Sequence, residues 1–155
     1  MERREERALA ELAGYAGQLK WAMELDRADR RAGKDAGQAA VPAVQSDATK
    51  AIVLGGERRD EFSRVLDRFR HEFYDSGLAD GEYMRTIESL GGGRSGHELA
   101  NEPSACDLRL SLAVLTFLMR AERFVSGFWN DADNREKLIR VLFHVRGQLE
   151  GRPLP

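Results

Sequence analysis

The residues of this chain best equipped for chemistry stand at the end of an apolar run. Leu108–Gly127 reads LRLSLAVLTFLMRAERFVSG, and its last turns gather Arg120, Glu122, Arg123 and Phe124. Two guanidinium groups, a carboxylate and an aromatic ring at one end of a buried helix are costly to desolvate unless they pair. Two readings follow. A helix C-terminus welcomes cations because its unpaired carbonyls carry partial negative charge, and an arginine there can hold Glu122 or a carboxylate on a neighbouring helix. Alternatively, Arg120 and Arg123 receive a phosphate or carboxylate ligand. Phe124 is expected to anchor the core, and Gly127 to permit a conformation or close approach that a side chain would block.

Other reactive residue types lack the spacing that chemistry needs. His71, His97 and His144 are far apart, and Cys106 stands alone, so no metal site and no intramolecular disulfide are expected. GGGRSG (Gly91–Gly96) lacks the strand and the Gly-Lys-Ser/Thr of a phosphate loop, and reads as a connection between helices. WNDADN (Trp129–Asn134) alternates acid and amide side chains, but without the glycine and glutamate of a calcium loop it reads as helix capping by Asp131 or Asp133. Ser111 and Ser126 have no nearby histidine. No catalytic constellation emerges and no cofactor is expected.

The elements that must position these groups are helical. Leu9, Leu12, Ala16, Leu19 and Met23 recur at intervals of three and four, which predicts a long amphipathic helix over residues 1–30. The same stripe, together with Trp21 beside it, is a candidate surface for a partner helix or a second copy of the chain. Residues 31–57 lose the period and read as a linker or loop, with AIVLGG (Ala51–Gly56) as a short apolar run of undecided structure. Residues 58–150 read as a helical domain. Its second helix carries Phe62, Val65, Leu66, Phe69 and Phe73, with Gly77 placed for a left-handed cap. Asp80 is placed to cap a short third helix bearing Tyr83, Met84, Ile87 and Leu90. Ser104 and Asp107 suggest the start of a fourth over 105–121, and Leu138, Val141, Leu142 and Val145 mark the last, over 134–149.

Composition bounds the whole. The chain has 155 residues, 42% of them hydrophobic and 32% charged, with a formal net charge of −2, which fits one all-α domain of about five helices. No run is long and apolar enough to span a membrane, and MERREERALAEL mixes charges through its first turns, so a cytoplasmic, membrane-free protein is expected. Acidic residues interleave with the arginines, which argues against nucleic acid as a partner.

Two patterns in the C-terminal part, about residues 69–146, resemble a prokaryotic family known only as domain of unknown function 6508. One is Tyr74, Gly77, Leu78, Asp80 and Tyr83; the other is Leu115, Thr116, Arg120, Glu122, Arg123, Phe124 and Gly127. Met84-Arg85-Thr86 stands where family members often carry a tryptophan. The resemblance implies a fold and a domain extent, adds Tyr74 to the ligand-binding candidates, and implies no activity.

The favoured expectation is a small non-enzymatic protein that binds another protein, in a regulatory, accessory or mobile-element inhibitor role. The alternative is a small enzyme or anion sensor using Arg120, Glu122 and Arg123. A weaker alternative is nucleic-acid binding through Arg135, Lys137, Arg140 and Arg146 of the last helix.

Overall fold

The N-terminal stripe lands in the interior of its own domain. In the computed structural model, which describes residues 3–39 and 60–151, every regular element is helical. The helices are α1 (Arg3–Ala13), α2 (Tyr15–Ala39), α3 (Glu61–Asp75), α4 (Tyr83–Leu90), α5 (Gly96–Asn101), α6 (Leu108–Ala121) and α7 (Ala132–Glu150). Short 3-10 turns precede α6 and α7, at Pro103–Ala105 and Phe128–Asn130. α2 lies against α3 and α7, α1 against α7, and α6 packs on α4, α5 and α7.

Leu9, Leu12, Ala16, Leu19 and Met23 are all buried, so the spacing that marked them out serves cis packing. The whole stripe therefore presents no surface to a partner. Trp21 alone stays open, at 59% exposure. The expected single N-terminal helix is interrupted at Gly14, where the weakest helix former among non-proline residues sits. It also runs on to Ala39, past the boundary expected at 31, because the alanines, Lys34 and Gln38 favour helix even without an apolar stripe. Residues 40–57, including the AIVLGG run, lie outside the described residues.

α3, α5, α6 and α7 are each started by a side-chain cap. Asp60 caps α3 by accepting from the Ser63 amide at 3.0 Å. α3 then buries Phe62, Val65, Leu66, Phe69 and Phe73, the five residues its period selects. Gly77 adopts φ +75, the left-handed conformation its position predicts. Asp80 accepts from the Glu82 amide and the Thr86 hydroxyl, bracing the start of α4.

The glycine-rich connection ends in an unforeseen helix, α5, started by a capping box in which Ser95 and Glu98 exchange hydrogen bonds. Ser104 does not start α6. The extended Cys106 separates the Pro103 turn from that helix, and Asp107 supplies the cap to the Leu110 amide at 2.8 Å. α6 is the central helix, buried from Leu110 to Met119 on nearly every side. α7 begins at Ala132 under the Asp131 cap, which is the role expected for the WNDADN stretch.

A buried ion cluster ties these pieces together. Arg135 of α7 is 4% exposed, and Asp26 of α2 is 5% exposed. Both Asp26 carboxylate oxygens accept amides at the start of α3, from Glu61 at 2.9 Å and Phe62 at 3.0 Å. The Arg135 guanidinium lies 3.8 Å from Asp26 and donates to Asp60 at 2.7 Å and to the Trp129 carbonyl at 2.5 Å. It also sits 4.5 Å above the Phe62 ring. One arginine thereby joins α2, the α3 N-terminus and the turn before α7. Burial opposes ionisation of Asp60, but the hydrogen bonds from Ser63 and Arg135 outweigh it and hold that carboxyl below the usual range.

Candidate functional site

The helix that carries Arg120 in its last turn ends at Ala121, so Glu122, Arg123 and Phe124 belong to the turn beyond the helix and not to its buried shaft. That turn is tightly built. The Arg123 amide donates to the Arg120 carbonyl at 3.0 Å, and the Phe124 and Val125 amides both donate to the Ala121 carbonyl, at 3.0 and 2.9 Å. The Phe128 amide closes the far side on Val125, and Gly127 turns the chain with φ +73. A side chain at Gly127 would be strained in that conformation and would approach Asn130 Nδ2 to 3.1 Å.

The four side chains leave this turn in different directions. Glu122 accepts from Arg70 Nη2 of α3 at 3.0 Å, so it is held by a neighbouring helix and not by Arg120 or Arg123. Arg120 lies 5.5 Å from the Tyr83 ring centre on α4, with its Nε buried and without a hydrogen-bond partner. Arg123 is exposed and has no side-chain partner among the described residues. Phe124 is 80% exposed and Val125 is 53% exposed.

Phe124 is therefore no core anchor. A turn held by backbone bonds to Ala121 points its side chain away from the helices that α6 packs on. Tyr74 is also exposed, at the end of α3 with its ring 5.7 Å from that of Phe73. The ligand-binding candidates do not converge, which removes the geometric basis for an anion pocket made of Arg120, Glu122 and Arg123.

Beside the turn, between it and α3, runs an open groove of about 390 Å³. Its walls include Asp67 and Arg70 of α3, Glu122 and Ser126 of the turn, and Trp129 and Asn130 beyond it. Arg70 also reaches Asp67 at 3.5 Å, yet its buried Nε finds no acceptor, and neither does the buried indole Nε1 of Trp129. Sequence reasoning missed both residues. Arg70 is one of many arginines on an amphipathic helix, and nothing in its spacing marks it. The aromatic pair Phe128-Trp129 was visible, but its place beside the turn depends on Gly127.

The remaining candidates are accounted for locally. His97 lies edge-on to Phe117 at 4.9 Å, and burial with the nearby Lys137 charge pushes its imidazole pKa below the usual value. His144 and Gln148 both reach the Cys106 carbonyl, at 2.8 and 2.7 Å, and burial pushes the Cys106 thiol pKa up. Among the described residues, no group of three or more His, Cys, Asp or Glu is placed to hold a metal ion. None of the described helices is long and apolar enough to cross a membrane.

Of the four basic residues named on the last helix, Arg135 is buried, Arg140 pairs with Glu136 at 3.6 Å, Arg146 pairs with Glu150 at 3.0 Å, and Lys137 Nζ lies 3.4 Å from Asn134 Oδ1. Comparison of the chain with protein-family models, with curated proteins and with solved structures finds no match.

Proposed function

We propose that this protein is non-enzymatic and works by binding another protein through the turn that follows α6. The observation that carries this reading is the presentation of Phe124 and Val125. Two adjacent apolar side chains face solvent on a backbone fixed by four hydrogen bonds and by the Arg70–Glu122 ion pair. A large aromatic held in a pre-ordered turn loses little conformational freedom on binding, which is the character of an interface anchor. Among the described residues none buries it. A regulatory, accessory or mobile-element inhibitor role agrees with such a surface, and the affiliation of residues 69–146 with domain family 6508, resting on the two motifs alone, belongs to the same proposal.

A photo-crosslinking amino acid at position 124 tests the reading. The expected result is one stoichiometric adduct from native lysate, lost when the label moves to the exposed Arg109 on the opposite end of α6. Equal labelling from both positions, or none from 124, rejects it.

A second reading rests on Trp21, which is 59% exposed beside Gly17 and Gln18 of α2 and Glu61, Val65 and Arg68 of α3. Self-association through this face would keep the expected role of the N-terminal helix in pairing. Light scattering of the full chain and of Trp21→Ala tests it, the supporting outcome being a dimer that becomes a monomer.

A further inference from the structure

The groove beside Trp21 carries a protrusion and a hollow on one face of the molecule. Tyr15 of α2 meets Glu72 of α3, and Asp26 meets the start of α3 at Glu61, so the two helices run antiparallel along the groove. Trp21 and Glu61 therefore stand towards one end of it, Gly17 and Arg68 towards the other, with the buried Val65 between them. The hollow measures about 350 Å³, room for an indole ring. No heavy atom lies within 4 Å of where a Cβ on Gly17 would stand, so the α2 backbone is open there. Among the described residues, the charged lining is Glu61 and Arg68, one of each sign. Lys20 and Glu24, which flank Trp21 along α2, line a different groove against α7. Glu61 pairs with the exposed Arg64 at 3.3 Å, an i,i+3 contact of little strength.

We infer that this groove is filled by a second copy of the chain, docked about a two-fold axis through its middle. Such an axis seats each Trp21 over the other copy's Gly17 and brings each Glu61 towards the other copy's Arg68. An isologous interface requires a single patch to hold both halves of every contact. Here the indole and the hollow, and the carboxylate and the guanidinium, are paired in that way within one groove. A head-to-tail assembly would need the protrusion and the hollow on different faces. The two-fold docking rests on the self-association reading of Trp21 and supplies the geometry of that association.

Sedimentation velocity of the full chain over a range of concentrations, read together with tryptophan emission, tests this. The expected result is a closed monomer–dimer equilibrium. Emission should move to shorter wavelength as dimer forms, because Trp21 becomes covered while Trp129, the other tryptophan, is buried throughout. Gly17→Leu fills the hollow and should raise the dimer dissociation constant about tenfold or more, as should Trp21→Ala. It replaces the weakest non-proline helix former in open space, so folding is kept. Arg68→Glu should also weaken the dimer, and adding Glu61→Arg should restore it, since the pair re-forms across the axis with its signs exchanged.

A dimer lost in Trp21→Ala but kept in Gly17→Leu, with no rescue by the charge exchange, overturns the two-fold docking and leaves self-association through Trp21 standing. Open-ended growth beyond the dimer that depends on Trp21 does the same. A monomer at every concentration overturns both, as does a dimer that Trp21→Ala leaves unchanged.

Discussion

Arg135 is 4% exposed and enclosed by Asp26, Asp60, the Trp129 carbonyl and the Phe62 ring, whereas Arg123, earlier in the chain, meets solvent with no side-chain partner among the described residues. The first guanidinium satisfies two carboxylates drawn from other helices and a backbone carbonyl, so its chemistry is consumed in closing the fold. The second stands on a rigid turn beside an exposed phenylalanine. Sequence pattern placed the Arg120–Arg123 group at a buried helix end, where internal pairing was the favoured reading, and carried Arg135 only in a weaker alternative, as part of a basic face on the last helix. A guanidinium reports function only when the fold leaves its donors unmatched, and the surroundings that decide this come from distant parts of the chain.

The contrast predicts unequal costs. Arg135→Met leaves buried Asp26 without its counter-charge and Asp60 with only the exposed Arg30 at 3.6 Å, and should lower stability by about 3–5 kcal/mol in urea denaturation. A loss under about 1 kcal/mol would show that the buried cluster does not hold the fold. Gly127→Ala tests the other region, since it forces a side chain into φ +73 against Asn130. It should cost about 1–2 kcal/mol and shift the Trp129 indole resonance, because the turn and the groove share that residue.

Tyr15→Phe lies away from both regions and calibrates them. Burial, followed by donation to Glu72 at 2.7 Å, pushes the Tyr15 phenol up to about 12. The phenol is neutral in both folded and unfolded chains below its ordinary value of 10.0. Above it the unfolded chain ionises first, so wild-type stability should fall from there towards pH 12. The variant should lose about 1 kcal/mol at neutral pH and show a flatter alkaline limb in melts run as a function of pH. The smallest effect belongs to Arg123→Ala, expected to change stability by less than about 0.5 kcal/mol while weakening partner binding. A stability loss as large as that of Arg135→Met would erase the distinction between the two regions.

The all-helical class, the stripe of Leu9, Leu12, Ala16, Leu19 and Met23, the buried face of α3 and the left-handed glycine at 77 were legible because each depends on residues within a few turns of one another. Sequence also located the Arg120–Gly127 turn as a place where polar and aromatic groups crowd together. It did not say which way they point. Phe124 lies outside the core because α6 stops at Ala121 and the backbone then folds back on that carbonyl, a local ending that apolar periodicity does not encode. The cap on α3 from Asp26, the grip of Arg70 on Glu122 and the enclosure of Arg135 by Asp60 and Asp26 join residues 35, 52, 75 and 109 positions apart. Periodicity fixed which faces are apolar, since that is a property of short range. Only tertiary packing decided which charges are paired and which are left to meet a partner, since pairing depends on which helices become neighbours.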